Sequence, residues 1–207
     1  MSLDSDVEEY VRTRKELLAS YPIEDHIDAI LRILGYDPDD NPHFAKTPER
    51  AAKVLEQFAA GSDREEAGAL LQAVFDDEHD SMVIVGPIKV TSMCAHHMLP
   101  VTGEAWVGYI PDGKVCGLSK LARVVHYYAQ QLTVQERVTQ LVATVLEEEL
   151  KPLGVMVVID AEHGCMTLRG VMEPNARTTT SAARGAFLED PAARAEFMAL
   201  RADRRNK

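Results

Sequence analysis

Apolar residues recur at helical spacing through the first part of the chain. Ile23, Ile27, Ile30, Leu31 and Leu34 fall at i, i+4, i+7, i+8 and i+11, one face of a helix, and Gly35 stands where such a helix stops. Residues 36–46 form a loop rich in Pro, Asp and Asn. Thr47-Pro48 joins a capping residue to a proline suited to a first helical turn, predicting a helix to about residue 60, ended by Gly61. Ala67, Leu70, Leu71 and Val74 mark one side of a further helix over about 64–75, and the charged residues 5–19 predict an exposed one. The texture then changes. Val and Ile crowd residues 82–91, and 103–110 carry Trp106 and Tyr109, so both predict strands. Residues 94–102 between them are too long for a tight hairpin. Leu118, Leu121, Ala122 and Val125, then Val134, Val138, Leu141, Val142 and Val145, mark the buried faces of two helices. The second begins with Thr133-Val134-Gln135-Glu136, which fits a capping box. Residues 155–165 and 177–187 predict the last two strands, and 190–204 a short charged helix.

The order from residue 82 is β-β-α-α-β-β. It predicts an α+β domain over 81–207, a four-stranded antiparallel sheet with two helices on one face, behind a helical extension over 1–80. The sheet edges are exposed unless neighbouring copies pair with them, which predicts an oligomer. Charge sharpens this division. Residues 1–80 carry 20 acidic and 8 basic side chains and residues 81–207 carry 13 and 14, so a broad nucleic-acid footprint is excluded and an anionic ligand needs a local basic cluster. No stretch has the roughly 18 apolar residues of a membrane span. Three widely spaced cysteines make no disulfide framework, which predicts a cytoplasmic protein.

Two of those cysteines sit among histidines. Cys94-Ala95-His96-His97 has C-x-x-H spacing, and a second pair follows at Glu162-His163-Gly164-Cys165. On a strand through residue 160, His163 and Cys165 share a face by the period of two. Four metal ligands are therefore available, Cys94, His97, His163 and Cys165, with His96 adjacent. Four ligands make a closed structural zinc site and three an open catalytic one; the spacing leaves both possible. Cys116 has no such company and reads as core.

Lys120 and Arg123 lie i, i+3 in the first turns of their helix, where free N–H groups already favour an anion. Basic residues there are mildly unfavourable for the helix itself, which argues for an anionic partner. Arg169 could add a third cation. Glu136 has two readings: the capping-box glutamate, or an acceptor for the N–H donors of a guanine-like edge.

Together these motifs resemble GTP cyclohydrolase I over about residues 47–187: Thr47-Pro48-Glu49-Arg50, the 94–100 stretch, Tyr109-Ile110-Pro111, the 115–123 stretch, Val134-Gln135-Glu136-Arg137, the 162–166 stretch, Arg169-Gly170 and Thr180-Ser181. The resemblance implies the tunnelling fold and a homodecamer of two face-to-face pentamers with active sites between subunits. It implies conversion of GTP and water to 7,8-dihydroneopterin triphosphate and formate. By motif it implies Cys94, His97 and Cys165 as zinc ligands, with water activated for attack on C8 of the purine. His96 is implied as the acid for the opening imidazole ring, and His163 with Ser119 as the acid/base for ribose rearrangement and ring closure. Gln135 and Glu136 are implied as the guanine-recognition pair. Lys120, Arg123 and Arg169 are implied as the triphosphate clamp, joined by Lys53. His163 thus moves from ligand to proton carrier. The chain departs from the family pattern at Ala95, usually Glu, at Gly164, usually Met, and at Met172-Glu173, usually Gln-Lys.

Overall fold

The computed structural model describes residues 20–61 and 63–205; the helix predicted over 5–19 lies outside them. The chain forms two compact units, one ending at Gln57 and the other starting at Phe58.

The first unit holds α1 (Ile23–Ile33) and α2 (Thr47–Gln57). Gly35 ends α1 at φ +87°, a conformation that glycine adopts without a Cβ penalty. Its N–H donates to the Arg32 carbonyl at 3.0 Å and that of Tyr36 to the Leu31 carbonyl at 2.9 Å, the paired closure of a glycine-terminated helix. The apolar face of α1 forms as its spacing predicts, yet none of its residues is buried; Ile33 is 84% exposed.

The second unit runs α3 (Arg64–Ala69), β1 (Val74–Asp76), β2 (Val83–Cys94), β3 (Pro100–Ile110), β4 (Lys114–Cys116), α4 (Leu118–Ala129), β5 (Leu132–Thr133), α5 (Gln135–Leu150), β6 (Gly154–His163), α6 (Gly164–Thr167), β7 (Thr178–Gly185), α7 (Ala186–Glu189) and α8 (Pro191–Arg205). The helix expected over 64–75 stops at Ala69. Val74 instead starts a small antiparallel ribbon with β4, pairing with Cys116 across a separation that local periodicity cannot report.

The main sheet has the order β5-β2-β3-β6-β7. Its four long strands are antiparallel neighbours, and the two-residue β5 adds to the end of β2 in parallel, Cys94 opposite Thr133. The first hairpin is tighter than its sequence predicts. β2 continues to Cys94, β3 begins at Pro100, and Met93 pairs with Pro100. The Cys94 N–H donates to the Leu99 carbonyl at 2.9 Å and the Met98 N–H returns to the Cys94 carbonyl at 2.8 Å. The end of β2 escaped the pattern because Ser92, Met93 and Cys94 are all buried and do not alternate.

Each sheet face carries a core. On one, Val90, Val107, Val157 and Ile159 pack under Leu121 and Val125 of α4 and Val142 and Leu146 of α5. On the other, Ile84, Trp106, Met156 and Val158 are covered by Phe187 and Phe197, the latter from α8. The charged terminal helix therefore closes a second core. Beside it Asp160 is buried between two guanidinium groups: Arg177 Nε lies 2.7 Å from Oδ1 and Arg201 Nη2 3.4 Å from Oδ2. Arg201 also stacks over Trp106, 4.6 Å from the ring centroid.

Candidate active site

The β2–β3 hairpin, the β5–α5 junction, the end of β6 with α6, and the start of β7 enclose a cavity of about 250 Å³. Cys94, His96, Glu136, His163 and Cys165 line it. A larger open depression, about 720 Å³, lies on the other sheet face among Lys89, Glu104, Glu162 and Arg177, and has no thiol or imidazole in its lining. The chemistry gathers at the smaller one.

Cys94, His97 and Cys165 place their ligand atoms within 4.8 Å of one another, and Cys94 Sγ lies 3.9 Å from His97 Nδ1. Zn–S and Zn–N bonds of about 2.3 and 2.0 Å at tetrahedral angles need donor separations of roughly 3.5–3.8 Å, so a slight contraction completes the fit. Two thiols and an imidazole also suit zinc by type. Burial and the adjoining Cys94 thiol push the Cys165 thiol up; a bound cation reverses that, because a coordinating thiol is deprotonated. Arg169 Nη1 lies 2.7 Å from His97 Nε2. Arginine only donates, so Nε2 accepts in this pair. Ligation through Nδ1 places the proton on Nε2, so the guanidinium and a metal at Nδ1 exclude each other on this ring.

Cys165 reaches the cluster from α6. β6 ends at His163, so the two residues do not share a strand face as predicted. His163 lies apart from the three donors. Its Nε2 sits 2.8 Å from Gln135 Oε1, and burial lowers its pKa while the Glu136 carboxylate partly offsets this. His96 is exposed beside the cluster, its ring centroid 6.2 Å from that of His97.

The predicted capping box does not form. Val134 caps α5 with no side-chain bond, because Thr133 is drawn into β5 and its carbonyl accepts from Ala95 N–H at 3.1 Å. Glu136 is left exposed at the cavity. The Thr133 hydroxyl is buried there without a hydrogen-bond partner; as a supposed cap, it gave no signal of a pocket position. Gln135 is 6% exposed and its amide is engaged by the protein. Ser119, Lys120 and Arg123 lie on the first turns of α4 and are not among the cavity's lining residues. Lys53 is exposed on α2 of the first unit.

The sequence model of the family described as GTP cyclohydrolase I matches residues 23–202. The chain belongs to the GTP cyclohydrolase I family. Its relatives include GTP cyclohydrolase 1 of Rattus norvegicus, 47% identical over 83% of this chain and 71% of that protein. The Thermobifida fusca protein of the same name is 50% identical over 88% of each, and that of Gloeobacter violaceus 48% identical over 86% of this chain and 83% of its own. A solved structure, the archaeosine synthase QueF-Like in the apo form, aligns at a TM-score of 0.40 and 15% identity over 55% of this chain and 94% of its own. As a GTP cyclohydrolase I family member the second unit has the α+β tunnelling fold, and its three-donor cluster fits a zinc site.

Proposed function

We infer that the chain catalyses the GTP cyclohydrolase I reaction: GTP and water give 7,8-dihydroneopterin triphosphate and formate. The observation that carries this is the three-donor cluster Cys94, His97 and Cys165 opening onto a cavity that also holds His96, His163 and Glu136. Zinc bound there would supply a Lewis acid that lowers the pKa of bound water to about 7. The chain's own groups do the rest. Glu136, free of its cap, accepts the N–H donors of the guanine edge. His96 donates a proton to the purine ring nitrogen released when the C8–N bond opens. His163, whose pKa is lowered by burial, moves protons in the ribose rearrangement and closure.

Lys120 and Arg123, on the first turns of α4, are the cations for the triphosphate, and they lie outside the lining of this cavity. We assign them, with Lys53, to a site completed by a neighbouring copy, where Arg169 meets the same triphosphate. A decamer of two pentamers supplies such neighbours. The apolar face of α1 and the position of β7 at the end of the sheet, both exposed among the described residues, support that assembly. No helix among the described residues is long and apolar enough to cross a membrane, and three free cysteines suit a reducing compartment, the cytoplasm.

The test is direct. Zinc-loaded protein incubated with GTP should release formate and yield a pterin that fluoresces after oxidation. Zinc-loaded protein that leaves GTP intact would overturn the reading. A formamidopyrimidine accumulating without pterin would mark a reaction halted after ring opening, the outcome that Ala95 in place of the usual glutamate makes worth seeking.

A further inference from the structure

The side chain of Gln135 is bound by the protein on every polar atom. Its Nε2 carries two protons and has three acceptors: the Ile159 carbonyl at 3.0 Å, the Thr178 carbonyl at 2.9 Å and Thr180 Oγ1 at 3.0 Å. Carbonyls can only accept. The opposite amide orientation would set oxygen against two carbonyl oxygens, so chemistry fixes Nε2 on this side and Oε1 toward His163. The neighbouring hydroxyls obey the same logic. Thr139 gives its single proton to the Gln135 main-chain carbonyl at 2.9 Å. The 2.6 Å contact between Thr139 and Thr180 is therefore made by Thr180 donating, which leaves the Thr180 oxygen to accept from Gln135.

His163 is then determined. Gln135 Oε1, 2.8 Å from His163 Nε2, accepts, so the neutral ring carries its proton on Nε2 and keeps its lone pair on Nδ1. We propose that Gln135 is a positioning residue that holds His163 in the Nε2–H tautomer, with Nδ1 as the proton-accepting atom, and that it does not read the guanine edge. The inference rests on the acid/base role assigned to His163 above. For Gln135 to donate to a purine it would have to give up one of these acceptors, two of which are main-chain carbonyls. Glu136, exposed one residue on, has no such commitment and remains the reader.

Two measurements test this on the zinc-loaded protein. With histidines labelled in ¹⁵N, long-range ¹H–¹⁵N spectra assign each ring tautomer, and His163→Gln identifies the signal. Wild type should show His163 as the Nε2–H form, and Gln135→Met a mixture of tautomers. An Nδ1–H form in the wild type, or an unchanged ring in Gln135→Met, overturns the proposal. In kinetics, Gln135→Met should lower kcat about 100-fold, the scale of a misplaced acid/base, while the Kd for GTP moves less than about twofold. A Kd raised tenfold or more with kcat preserved makes Gln135 a guanine reader and overturns it too. Should Gln135→Met fail to fold, Thr180→Val removes one acceptor of the amide and no group lining the cavity. A second His163 tautomer is expected there, and a wild-type spectrum overturns the proposal. The spectra need no turnover, so wild-type protein inactive on GTP would sink the reaction while leaving the tautomer to be decided separately.

Discussion

At the scale of residues, three side chains from two distant segments define the site, and each is replaceable. Cys165→Ala should lose stoichiometric zinc and lower formate release by at least about 100-fold, beyond what outer-shell changes cost; metal analysis beside the formate assay checks both. Ala95→Glu tests the departure at the hairpin. The side chain is exposed and is not a ligand, so zinc content should stay constant while the added carboxylate raises the rate of pterin formation. Away from the site, Tyr127 donates to Glu66 at 2.7 Å and accepts from Asp63 N–H at 3.1 Å. Burial and that carboxylate push its pKa from the ordinary 10 up to about 12. The folded state thus favours the protonated phenol. Its contribution is complete below pH 10 and is lost as pH rises from 10 to about 12. Tyr127→Phe should flatten the fall of urea midpoints across that window.

At the scale of elements, Asp160 ties β6 to β7 and α8. Asp160→Ala would remove the buried carboxylate that Arg177 and Arg201 share and should cost about 3 kcal/mol in urea unfolding, as breaking one side of a buried pair does. None of this was legible in the chain. Asp160 sits in an apolar strand where alternation marks a face but names no partner, and Phe197 stands among charges with too little periodicity to declare a core. What could be read was the order of strands and paired helices, because Val155, Val157, Ile159 and Ala161 alternate over a full strand. The pattern carries Cys165 onto that strand because nothing local shows where β6 ends. It ends against β3: a Cβ on Gly164 would lie 3.0 Å from the Pro100 carbonyl, so the backbone there packs close and turns into α6. The ligand residues were legible by type, while the separation of His163 from them needed the Gln135 amide, which periodicity does not reveal.

At the scale of the whole molecule, apolar surface on α1 is exposed among the described residues. Ile30→Glu with Ile33→Glu should lower the mass seen by sedimentation and reduce turnover, with zinc per chain unchanged, if a neighbouring copy covers that face. The two sheet faces, meanwhile, separate chemistry from closure: the thiols lie at the end of one core, and Trp106 lies in the other beneath Arg201. Trp106 is also the single tryptophan of the chain. The protein therefore carries its own optical gauge, whose ultraviolet emission follows the seating of α8 and is blind to events at the thiols. A chain emerging from a ribosome keeps that indole wet until the last helix is free, so emission should blue-shift only when residue 197 has been released.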